Sequence, residues 1–149
     1  MRLTSRDVAQ LIDISAVQAP HGTAEIRDLV ASAKQEHFVA VHVLPCWVPF
    51  LKGLLAGSGI LIGAPVGFPG GAHRTEIKAA EALLLVEDGV QEMDMMLNVG
   101  KLCSGEDRYC EDDIRAVVQA AGEVPVKVIL EAKPGRGFNP ARFNPVWRL

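Results

Sequence analysis

Residues 63–100 read GAPVGFPGGAHRTEIKAAEALLLVEDGVQEMDMMLNVG, and their order decides the fold. An apolar strand leads into a Gly/Pro loop, then one long helix, then a second apolar strand. That succession is a parallel β-loop-α-β unit, because parallel strands need a crossover connection and a helix supplies it. Ile77, Ala80, Leu84 and Leu85 recur at helical spacing and are expected along the buried side of a helix over 75–87, with Gly89 as its stop. In the second strand, 92–99, Asp94 stands among Met93, Met95, Met96 and Leu97. A carboxylate at such a place is where parallel barrels keep their chemistry.

The same alternation continues on either side. Thr4 or Ser5 can cap a first helix over 7–11, with Asp7 three residues after Thr4 as in a capping box. A short strand is expected over 11–17. A second helix opens at Gly22 and Thr23 and presents Ile26, Leu29, Val30 and Ala33 on one face. FVAVHVL (38–44) is a strand ended by Pro45, followed by a helix over 48–55 and a strand over 60–67. Beyond the long helix, 111–121 reads as a helix closed by Gly122, and VPVKVIL (124–130) as a fifth strand. The strands are near-continuous apolar runs, as expected where both faces of a parallel sheet are covered. Five strands with four intervening helices make an α/β fold with right-handed connections.

After Leu130 the pattern ends. Pro134, Pro140 and Pro145 forbid a long helix or central strand over 132–149, so an irregular tail is expected beyond a domain spanning 1–131. Arg136, Arg142 and Arg148 with Phe138, Phe143 and Trp147 would suit a nucleic-acid strand. The acidic balance of the chain, net charge −3, argues against that partner.

The 149 residues suffice for one domain with a real core, and 49% hydrophobic against 22% charged residues fits a globular protein. No apolar run approaches the ~20 residues that span a bilayer. Arg6, Asp7 and Gln10 interrupt the start where a signal peptide would need an apolar core, so a cytoplasmic location is expected. Cys46, Cys103 and Cys110 form no CxxC pair, and their odd number opposes a disulfide framework. His42 and Cys46 straddle Pro45, so no single helical face offers them to a metal. Neither a metal nor another cofactor is expected.

Three positions carry chemistry. Asp94 sits in a strand built for burial, where an ionised carboxylate is costly unless paired or facing a polar cavity. Lys127, inside VPVKVIL, is in the same predicament one strand later. The two either satisfy each other as a buried ion pair or share a pocket suited to proton transfer or imine chemistry. Since buried ion pairs are poor stabilisers, the functional reading is preferred. Asp13, on the first strand, is the third inward candidate; its alternative is a turn or cap acid. The loop Gly67-Phe68-Pro69-Gly70-Gly71 and the helix start near His73–Thr75 could cradle a phosphate, although they match neither GxGxxG nor a Walker pattern.

The chain resembles the deoxyribose-phosphate aldolase family from LID at Leu11 to VKVILE ending at Glu131. The likeness runs through VGFPGGAHRTEIKAAEA, EMDMMLNVG, SGEDRYCEDDIRAVVQAAG and VPVKVILE. It implies a (β/α)8 barrel, here a partial one of about five strands, in a cytoplasmic and commonly dimeric enzyme. The implied reaction is reversible cleavage of 2-deoxyribose 5-phosphate to glyceraldehyde 3-phosphate and acetaldehyde through a lysine Schiff base, without metal. By resemblance, Asp94 matches the proton-relay aspartate of strand four, Lys127 the lysine near the reactive centre on strand five, and Asp13 the supporting aspartate of strand one.

Departures accompany the likeness. Ile14-Ser15 and Ala19-Pro20 replace the usual His-Thr and Lys-Pro, and His42 stands where Cys is frequent, with Cys46 past Pro45. No Lys-Thr-Ser-Thr-Gly-like motif for the Schiff-base lysine of strand six occurs in these residues. The second active-site lysine of strand seven and the phosphate loops of strands seven and eight have no match either. Five strands cannot close an eight-stranded barrel, so impaired turnover is expected of the isolated chain. The alternative expectation is a non-catalytic half-barrel that assembles with itself or with a complementary chain.

Overall fold

The computed structural model describes residues 3–131, so the expected irregular tail, 132–149, lies outside the described residues. Five parallel strands lie in sequence order: β1 Asp13–Ala16, β2 Ala40–Val43, β3 Leu61–Val66, β4 Glu92–Met96 and β5 Val126–Ile129. The helices are α1 Ser5–Ala9, α2 Thr23–Glu36, α3 Val48–Leu55, α4 Thr75–Asp88, α5 Val99–Cys103 and α6 Asp107–Ala121, with a 3-10 turn at Pro45–Trp47 before α3. The expected α/β class and the parallel sheet of a partial barrel are thus observed.

Local chemistry explains the boundaries. Thr4 and Asp7 close a reciprocal capping box on α1. Proline at the start of the 3-10 turn ends β2, as its missing N–H requires. Gly89 stops α4 with φ 94°. Two stretches differ from expectation. The fourth strand ends at Met96, because Asn98 caps a short helix, its side chain accepting from the Lys101 amide at 3.1 Å. The last helix starts at Asp107, a turn earlier than its apolar residues suggest.

Strand register sorts side chains onto two faces. Ile14, Ala16, Val41, Val43, Ile62, Ala64, Val66, Met93 and Met95 pack beneath the helices and form the core with Ile26, Leu51, Leu55, Leu85 and Val117. The opposite face presents Asp13, Ser15, His42, Gly63, Glu92, Asp94 and Lys127. One pattern of residues therefore builds the core and the other a polar surface.

The buried side of α4 is not the expected one. Ile77 and Leu84 are 57% and 61% exposed, and Ala80 is exposed too; of the four expected residues only Leu85 is buried. The inner side is Lys78, Ala82 and Leu85. Lys78 is fully buried because its ammonium donates to Asp113 Oδ2 of α6 at 2.7 Å and to the Met96 carbonyl at 3.0 Å, while Thr75 Oγ1 donates to Asp113 Oδ1 at 2.8 Å. A lysine marks the solvent side of a helix unless an acid from elsewhere neutralises it, and here one does.

The Gly/Pro loop is held as firmly. Gly67 donates its N–H to Glu81 Oε2 at 2.7 Å, and the Gly71 N–H donates to the Gly67 carbonyl at 2.8 Å. A Cβ on Gly71, whose φ is +67°, would stand 2.1 Å from the Leu97 carbonyl oxygen, so only glycine lets the loop approach the end of β4.

Candidate active site

The helix-free face gathers five ionisable groups. Lys127 of β5 donates to Asp13 Oδ2 of β1, reaches Glu92 Oε1 at 2.8 Å and lies 3.4 Å from Asp94 Oδ1. All three predicted residues, Asp13, Asp94 and Lys127, are therefore brought together. Two more join them that were not singled out for chemistry. Glu92 precedes Asp94 by two residues and so shares its face. His42, buried at 2% exposure, places Nε2 3.1 Å from Glu92 Oε1 and Nδ1 3.3 Å from Asp94 Oδ2.

Each element has a reason to position its group. Lys127 pairs in register with Asp94 on the neighbouring strand. His42 lies on β2, separated from β4 by β3, yet it reaches both β4 acids because Gly63 stands beneath its ring. A Cβ at Gly63 would lie 2.3 Å from His42 Cε1 and Nε2. The signal for His42 is a glycine in register between it and the acid pair, and only the strand pairing reveals it.

Burial acts most strongly on Lys127 and would lower its pKa. Hydrogen bonds to Asp13 and Glu92, with the charges of Asp94 and Glu92, outweigh it and hold the ammonium above the ordinary lysine range. A lysine so held is a cation and a hydrogen-bond donor, whereas an imine needs the free amine. Asp13, His42 and Glu92 also offer ligand atoms within 4.8 Å of one another, a spacing open to a metal ion. The Lys127 ammonium already sits against two of these groups, so a metal would have to displace it and lose two charged hydrogen bonds.

The suggested phosphate cradle is partly committed elsewhere, since the Thr75 hydroxyl serves Asp113. Cys46 lies exposed in the 3-10 turn, away from the inward-facing His42.

A parallel α/β partial barrel with a lysine–carboxylate centre on its open face defines the class. Known proteins share the fold. The chain is 53% identical over 130 residues to the deoxyribose-phosphate aldolase of Rhizobium meliloti (strain 1021), covering 87% of this chain and 52% of that protein. A structure from Coccidioides immitis, provisionally assigned as a deoxyribose-phosphate aldolase, superposes with a TM-score of 0.82 at 32% identity, covering 87% of this chain and 51% of the other. The deoxyribose-phosphate aldolase of Aeropyrum pernix, a tetramer, gives a TM-score of 0.72 at 26% identity over 87% of this chain and 54% of its own. No family model matches the chain. The chain is thus related to the deoxyribose-phosphate aldolases, and it spans about half the length of the curated relatives it matches. Among the described residues no helix is long and apolar enough to cross a membrane.

Proposed function

We propose that this chain supplies the acid–base part of an aldolase site acting on 2-deoxyribose 5-phosphate, in the cytoplasm and without a metal. The observation that carries the reading is the Lys127 ammonium set against Asp13, Glu92 and Asp94 on the helix-free face of the sheet. In this role Asp94 accepts and returns the proton exchanged at the carbon α to the carbonyl. Lys127 donates to the developing alkoxide or imine-linked hydroxyl, and Asp13 holds Lys127 in place. The imine-forming amine is a different lysine, contributed outside the described cluster, because Lys127 is kept charged.

The test is cleavage of 2-deoxyribose 5-phosphate by this chain alone and when co-expressed with the unmatched remainder of the Rhizobium meliloti aldolase. Supporting results are little turnover by the chain alone, turnover in the assembly, and a loss of roughly 10²-fold or more in Asp94→Asn. A stable assembly with no cleavage would refute the reading.

A complementary chain, or a second copy, is the partner that this reading favours. The outer faces of Val126 and Val128 on β5 are only half-buried among the described residues, unlike those of the central strands. Light scattering on the chain alone tests this: a monomer at all concentrations would oppose self-assembly.

A further inference from the structure

We infer that Glu92, His42 and Asp94 form a proton relay in which His42 is the positioning residue and one proton is stored on the His42–Asp94 line. The inference rests on the acid–base role proposed for Asp94. It begins with a count of donors. Glu92 Oε1 accepts from Lys127 at 2.8 Å, so it is an ionised acceptor, and the His42 Nε2 3.1 Å away must carry the proton between them. A neutral ring then has a bare lone pair at Nδ1, which faces Asp94 Oδ2 at 3.3 Å. An ionised Asp94 would put acceptor against acceptor at the buried Nδ1.

The strain is visible in two atoms. His42 Nδ1 and Asp94 Oδ1 are buried without a properly aligned hydrogen bond, even though each has an opposite partner within ion-pair distance. A buried acceptor left unmet is costly. One proton placed between Nδ1 and Oδ2 removes the clash. The charged groups that face His42 are Glu92 and Asp94 of β4, with Lys127 of β5 behind them and Asp13 of β1 beyond Lys127. With three carboxylates against one ammonium, the cluster has charge to spare for that proton.

The relay step balances. Asp94 gives its proton to Nδ1, and Nε2 gives its own to Glu92 Oε1. The imidazole changes tautomer without changing charge, and the reverse transfer resets it. His42 can bridge the acids because Gly63 leaves its ring room to cross β3.

Nitrogen-15 and proton NMR of the His42 ring in the full chain tests this without requiring turnover. The expected wild-type spectrum has a far-downfield proton on the Nδ1 side as well as an Nε2–H. Asp94→Asn should abolish the former and leave a neutral Nε2–H ring. Glu92→Ala should move the proton to Nδ1. Gly63→Ala, which leaves all three groups chemically intact, should erase both signatures. Identical ring spectra in wild type and Asp94→Asn would overturn the relay, as would an unaltered tautomer in Glu92→Ala. Circular dichroism confirms that each variant is folded; should Gly63→Ala fail to fold, the two acid variants still decide. In the co-expressed assembly, His42→Gln should lower kcat by roughly 10²-fold with KM unchanged. If the assembly shows no cleavage at all, the proposed function fails while the ring spectra still judge the relay.

Discussion

At the scale of single residues, charge and burial separate groups that look alike in the sequence. Lys127 and Lys78 are both lysines in apolar surroundings, yet one faces the open side of the sheet and the other is sealed between helices. Because the folded pKa of Lys127 is raised, its ion pairs are fully present below the ordinary lysine value and are lost only as pH rises through the higher folded value. Lys127 should therefore acylate more slowly at pH 9 than the exposed Lys34 and Lys52, as peptide mapping would show; equal rates would mean that the cluster does not hold its proton. Borohydride trapping with acetaldehyde should likewise leave Lys127 unmodified, and an adduct mapped there would make it the imine lysine. Among the thiols, burial, followed by the charges of Asp113 and Asp107, pushes Cys110 up to about 11. Iodoacetamide at pH 8 should label the exposed Cys46 and Cys103 in the native chain and reach Cys110 only after unfolding, counted by intact mass.

At the scale of elements, the Lys78–Asp113 pair joins α4 to α6 and, through the Met96 carbonyl, to the end of β4. Removing one partner leaves a buried charge alone. Lys78→Ala or Asp113→Ala should each cost about 3–5 kcal/mol in urea unfolding, whereas Lys78→Met with Asp113→Leu should recover much of the loss. This pair also explains what the sequence concealed. Order and type of the strands and long helices were legible because apolar runs and caps repeat cleanly along the chain. The inner face of α4 was not, since ALLLV is apolar all round and the decisive partner, Asp113, lies 35 residues away. Asp13, Asp94 and Lys127 were legible as charges in strands built for burial. Glu92 was hidden at a strand start, where an acid is ordinary, and His42 because its role depends on a glycine in the next strand.

At the scale of the whole molecule, stability should grade across the sheet. β2 is buried throughout and β3 nearly so, while β1 and β5 form the edges. Native-state hydrogen exchange should find the slowest amides in β2, β3 and β4 and faster ones in β1 and β5. Protection of β5 equal to that of β3 would mean that another strand pairs with it in solution. The ionisable groups of the polar face follow the same gradient: the most enclosed, His42, sits over the centre, and the most exposed, Lys127, at the edge.

The glycine-rich loop after β3 carries a last consequence. Composition alone would make it a pliable flap, but Glu81 grips its first amide, the stem of Lys78 lies against Gly67, and Gly71 rests on the backbone of Leu97. It behaves as masonry instead: a molecule arriving beside β3 meets a wall whose outline is set before contact. A ligand site beside it would discriminate by excluding shapes that do not fit, and any adaptive grasp would fall to another part of the surface.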